Sequence, residues 1–114
     1  MPLISTKTNK HLTEADTKAL TESYGRAIEL LPGKTEAWLM LSFEGDTPMA
    51  FRGKADTPMA FLTVSLVGKA PSAAYDALTK RLCEIMRDTL GIRPDMTYVK
   101  YEEVEHWGYD NANF

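Results

Sequence analysis

The chain has 114 residues, 44% of them apolar and 25% charged, which suits one compact domain and excludes an intrinsically disordered one. Its 16 acids against 13 bases leave a formal charge of −3, the wrong sign for a protein that holds nucleic acid through clustered positive charge. A single cysteine, Cys83, excludes an intrachain disulfide framework, and the two histidines, His11 and His106, lie too far apart to suggest a metal-ligand spacing.

The first seven residues turn polar too early for a signal peptide, and no later apolar run approaches the ~20 residues that span a bilayer. The expectation is a cytoplasmic domain with no membrane partner. Residues 3–8 alternate and predict a short strand. From Leu12 to Leu31 apolar residues recur at Leu12, Ala15, Ala19, Leu20, Tyr24, Ala27, Ile28 and Leu31, the spacing of an amphipathic helix. Thr13 is its expected N-cap, Glu14 and Asp16 complement the macrodipole, and Pro32-Gly33 stop it. Residues 37–43 are almost continuously apolar and predict a buried strand. Asp-Thr-Pro-Met-Ala-Phe occurs at 46–51 and again at 56–61, which reads as a turn–strand pair rather than a duplicated binding loop.

Residues 58–67 predict a second strong strand, broken by Gly68 and Pro71. Ser72 is the expected cap of a helix running to about Leu90, with Ala74, Tyr75, Leu78, Leu82, Ile85, Met86 and Leu90 turned inward. Gly91 closes it and Pro94 prevents its resumption. Residues 96–101 predict the last strand, and 105–114 form a mixed tail. The order is strand–helix–strand, twice. The fold class is therefore α/β: a duplicated βαβ in one domain, residues 1–114, with a four-stranded mixed sheet and both helices on one face. Residues 37–43 and 58–67 are apolar at nearly every position, so both faces of that sheet want burial and the chain should associate with copies of itself to cover the second.

Pro2 is the candidate for chemistry. Loss of the initiator methionine would free a secondary amine, and an α-amine begins near pKa ~7.7–8.0, closer to neutrality than any lysine. Without that step Pro2 is simply a proline that opens a strand without losing a ladder bond. A nearby cation such as Lys34 would lower the amine further, toward the range a general base needs. Trp38, Tyr98, Trp107, Tyr109 and Phe114 lie outside the two helices and could wall an apolar pocket around the amine, suited to an aromatic keto acid.

These features, in order, resemble the macrophage migration inhibitory factor/D-dopachrome tautomerase family of the tautomerase superfamily. The resemblance is carried by Pro2, Gly33-Lys34, Met49-Ala50-Phe51, Ser65-Leu66-Val67-Gly68-Lys69, Pro94-Asp95 leading to Tyr98, and the ending Trp107 to Phe114. It implies a homotrimer whose sheets enclose a channel, and a keto–enol tautomerase for phenylpyruvate- or dopachrome-type substrates that uses neither cofactor nor metal. In that reading Pro2 is the acid/base, Lys34 binds the substrate carboxylate, and Val67 lends backbone contacts. Tyr98 comes from the neighbouring subunit, while Trp38, Tyr109 and Phe114 wall the pocket. Lys100 replaces a familiar asparagine near the pocket and adds a second cation. The paired cysteines of the mammalian cytokine are absent, Met59 and Leu62 standing in their place. The alternative implied role is a secreted, cytokine-like or host-modulating protein that leaves cells without a signal peptide, binds a cell-surface receptor and keeps a vestigial pocket.

Overall fold

The computed structural model describes residues 1–113, so the expectation for Phe114 lies outside the described residues. Strand β1 (Pro2–Thr8) buries Pro2, Ile4, Thr6 and Thr8 and turns Leu3, Ser5 and Lys7 the other way. Helix α1 (Glu14–Ala27) opens on a reciprocal cap: the Asp16 amide donates to Thr13 Oγ1 at 3.0 Å and the Thr13 amide donates to Asp16 Oδ2 at 3.1 Å. It tightens into a 3₁₀ turn at Ile28–Leu30, and the chain reverses at Gly33, whose φ of +78° suits a residue without a Cβ.

The predicted strand at 37–43 is corrected here. Glu36–Trp38 form a second 3₁₀ turn, and β2 runs only over Met40–Glu44, so Trp38 is not on a strand. The amides of Trp38 and Leu39 donate back to the carbonyls of Thr35 and Glu36. A short apolar run fits a turn as well as a strand, because periodicity alone does not separate them.

The second half opens with β3 (Ala60–Val67), after a tight turn closed by mutual Phe51–Lys54 hydrogen bonds. Helix α2 (Ser72–Ile85) is capped by Pro71, not Ser72. The proline is fixed at φ −62° and already extended, so Ser72 becomes the first helical residue. A π-helical turn, Met86–Leu90, carries the helix to Gly91 at φ +68°. Strand β4 (Thr97–Val104) outruns its predicted end, and the tail forms a small hairpin of β5 (Gly108–Tyr109) and β6 (Ala112–Asn113).

The sheet order is β2-β1-β3-β4, with β1–β2 and β3–β4 parallel and β1–β3 antiparallel. Two βαβ units thus meet at their first strands. Ile4, Leu62, Val64 and Leu66 from the sheet pack against Leu20, Tyr24 and Ile28 and against Leu78, Leu82 and Ile85. Tyr24 is fully buried, and its hydroxyl is satisfied by Thr6 Oγ1 at 2.8 Å.

The helix-free face is not the apolar surface that 37–43 and 58–67 suggest. Its central positions are Ser5, Ser42, Thr63, Ser65, Lys100 and Glu102, with Ser42 donating to Ser5 at 3.0 Å and Ser65 to Glu102 at 2.9 Å. Only its ends are apolar: Leu3 and Met40 at one, Phe61 and Tyr98 at the other. Among the described residues no helix is long and apolar enough to cross a membrane.

Candidate active site

β1 begins at the mouth of a cleft of about 640 Å³, walled by Met1, Pro2, Leu3, the 37–41 segment and the tail residues Trp107–Tyr109. The sheet supplies one side of it. The 3₁₀ turn at Glu36–Trp38 lifts the Trp38 indole out of line with β2, and the tail hairpin brings Tyr109 against it. Their rings meet edge to face, 5.4 Å between centroids and 88° between planes.

Lys34 approaches the same corner from the turn after α1. Its Nζ donates to the Val67 carbonyl at 3.3 Å, where β3 ends, and lies beside the Met1 amine. The Val67 amide in turn donates to the Met1 carbonyl at 3.4 Å. The Met1 amine is held below the usual α-amine value, first by partial burial and then by the Lys34 ammonium beside it. One cation, one amine of lowered basicity and aromatic walls therefore converge.

Of the residues singled out from the sequence, the fold gathers Pro2, Lys34, Trp38, Val67 and Tyr109 at this corner. It places two others apart. Pro2 is opposite Leu66, whereas Tyr98 is opposite Phe61 at the other end of β3. Tyr98 packs edge to face on Phe51 and Phe61, at 5.1 and 6.2 Å. Lys100 sits opposite Thr63 on the helix-free face, with Nζ 3.4 Å from Glu102 Oε2. Within one chain neither reaches the cleft.

Met40 lines the cleft without having been assigned to it, and Trp107, one of the candidate aromatic walls, lines it as expected. Met40 was hidden inside an apolar run, and its facing is set by a strand register no periodicity reveals, Leu3 opposite Met40. Trp107 had a visible signal, as a tail aromatic two residues before Tyr109. Cys83 is half-buried on α2, where burial pushes its thiol up and away from reactivity. Among the described residues no cluster of three or more His, Cys, Asp or Glu could hold a metal ion.

The family model described as macrophage migration inhibitory factor matches residues 1–111. Macrophage migration inhibitory factor of Meriones unguiculatus is 27% identical over 119 residues, covering 100% of this chain and 99% of the relative. The crystal structure of Leishmania major MIF2 matches with a TM-score of 0.93 and 27% identity, over 100% of this chain and 97% of that one. The homologue from Prochlorococcus marinus matches with a TM-score of 0.88 and 26% identity, over 98% of both chains. Because one family model runs through nearly the whole chain and the same doubled βαβ sheet recurs in these structures, the chain belongs to the macrophage migration inhibitory factor family, in the tautomerase superfamily.

Proposed function

We propose that this protein is a keto–enol tautomerase for aromatic α-keto acids, with the ring nitrogen of Pro2 as general acid/base after removal of Met1. The observation that carries this is the Met1 amine, less basic than usual, beside Lys34 at the edge of an apolar cleft. Removal of one residue moves the free amine to Pro2, which lines the same cleft. A neutral amine is required, since only the unprotonated nitrogen accepts a proton.

The substrate's carboxylate pairs with Lys34, and its ring lies against Trp38 and Tyr109. In ketonisation the nitrogen takes the enol hydroxyl proton and returns a proton to the adjacent carbon. The C=C bond becomes C–C as C–O becomes C=O, with no net change in protons. A homotrimer is part of the proposal, because it gives Tyr98 a neighbouring cleft to reach.

The test is ketonisation of enol-phenylpyruvate by protein shown by intact mass to lack Met1. Pro2→Gly should cost about 10²–10⁴-fold in rate with the fold retained, and equal rates remove Pro2 from the mechanism. The name of the rodent relatives favours a second reading, an extracellular binding protein acting on cells. Receptor binding that survives Pro2→Gly would assign signalling to the surface and not to the cleft.

A further inference from the structure

The Lys34 side chain is anchored on the main chain. Its Nζ donates to the Val67 carbonyl at 3.3 Å, and the Val67 amide donates to the Met1 carbonyl at 3.4 Å. The cation and the start of β1 thus share one support, and where Val67 stands decides where Lys34 stands. Beyond Val67 the chain leaves β3 through Gly68 at φ +81°, and both Gly68 and Lys69 are exposed. Packing does little for these two residues. A hollow of about 360 Å³ lies against the turn, lined by Val67, Gly68, Lys69, Glu103, Val104 and Glu105. Nothing lies within 4 Å of where a Cβ on Gly68 would be.

Hydrogen bonds hold the turn instead. The Gly68 amide donates to the Val104 carbonyl at 3.1 Å, and the Ala70 amide donates to the Tyr75 hydroxyl at 3.1 Å. That hydroxyl donates onward to Glu103 Oε2 at 2.6 Å, the length of a charge-assisted bond. We propose that Tyr75 and Glu103 are positioning residues of the cleft: through the 67–70 turn they fix the Val67 carbonyl, and with it the point at which Lys34 meets a substrate carboxylate. The substrate's part in this rests on the tautomerase reading, whereas the hold on Lys34 rests on geometry alone.

The strand period brings the pair together. Tyr101 and Glu103, two apart on β4, both meet Tyr75 of α2, while Lys100 and Glu102 turn to the helix-free face. The Tyr75 ring lies on that of Tyr101, 4.5 Å between centroids, and the Tyr101 hydroxyl donates to the Tyr75 carbonyl at 3.1 Å. Ring and backbone are therefore placed without help from the Tyr75 hydroxyl, which is left to serve the turn. Among the described residues Glu103 makes no ion pair, so no lysine or arginine competes for its carboxylate.

Partial burial, and then the Glu103 carboxylate, raise the Tyr75 hydroxyl above its usual pKa, so it remains a donor throughout the neutral range. The same bond reaches the aromatic wall. β4 ends at Val104, one residue past Glu103, and from there the tail carries Trp107 and Tyr109 to the cleft. One hydrogen bond thus couples the turn that anchors the cation to the strand that launches the rings.

Tyr75→Phe keeps the stacked ring and removes the hydroxyl alone. In ketonisation of enol-phenylpyruvate it should raise KM about three- to tenfold and leave kcat within about twofold of the parent. Glu103→Gln, which keeps an oxygen acceptor, should lose less than Glu103→Ala. The double variant shows the route: in a Lys34→Gln protein, Tyr75→Phe should add nothing to KM, because the residue through which it acts is gone. An equal rise in KM in both backgrounds, or Tyr75→Phe kinetics that match the parent's, would overturn the role. A second measurement needs no substrate. In the full-length protein, Tyr75→Phe and Glu103→Gln should each move the NMR signals of the Lys34 side chain and the Val67 amide. If the parent catalyses no ketonisation, the tautomerase reading fails while these signals still judge the hold on Lys34: signals that stay in place overturn it.

Discussion

At the residue scale the proposed chemistry turns on one nitrogen and one lysine. In the proposed mechanism the lysine acts twice, as a partner for the substrate's charge and as a neighbour that would disfavour protonation of the Pro2 amine as it does that of Met1. These roles separate in a pH–rate profile. The base works only when neutral, so activity falls as pH drops through its pKa, and a lowered pKa extends activity toward acid. Lys34→Gln removes the cation, lets the pKa rise toward the ~7.7–8.0 of an ordinary α-amine, and moves the acid limb of kcat/KM to higher pH. The deficit relative to the parent should therefore be greater at pH 6 than at pH 9. At pH 9 the remaining loss is substrate binding, about tenfold or more in KM if the charge-assisted bond to the carboxylate is made. A profile whose limb stays put would leave burial as the sole cause of the lowered amine.

Among the elements, those that end on a stereochemical stop were legible in the sequence. Thr13 caps α1 because an oxygen is needed beside its free amides, and Gly91 ends the second helix because the chain must pass through positive φ there. Nothing lies within 4 Å of where a Cβ on Gly91 would be, so Gly91→Ala isolates backbone strain from crowding. It should cost about 1–2 kcal/mol in urea unfolding with an unchanged m-value. A neutral substitution would mean that the turn relaxes to negative φ. Less legible were features set by contacts distant in sequence. The Glu36–Trp38 turn lies against α1 where Gly25 leaves no side chain, with Glu36 Cβ 3.3 Å from where a Cβ would stand. No local pattern in residues 37–43 encodes that approach. Likewise, the polar centre of the helix-free face is a property of register. The serines and threonines that make it polar are spread over three strands, so each run read alone looks more apolar than the face it builds.

At the scale of the whole molecule, the candidate site was legible only in part from one chain. Pro2, Lys34, Trp38, Val67 and Tyr109 converge because β1, the turn after α1 and the tail meet at one end of the sheet. Tyr98 stands at the other end, 57% exposed among Phe51 and Phe61, on a β4 whose outer edge has no strand partner among the described residues. An exposed aromatic patch beside an open edge is the kind of surface that a second copy covers, and head-to-tail closure would set it beside the next Pro2. This arrangement predicts complementation. In the proposed homotrimer Pro2→Gly and Tyr98→Ala would each spoil a cleft, but from different chains. When the two variants are refolded together, a subunit with an intact Pro2 can sit beside one with an intact Tyr98. With random closed assembly that is half times half, or about one quarter of all clefts. The mixed preparation should regain about one quarter of parental kcat per subunit, while the two variants refolded apart and then combined without exchange regain nothing. If instead the protein sediments as a single chain, or the mixture is no more active than the sum of its parts, Tyr98 serves only its own patch and the cleft is complete within one subunit.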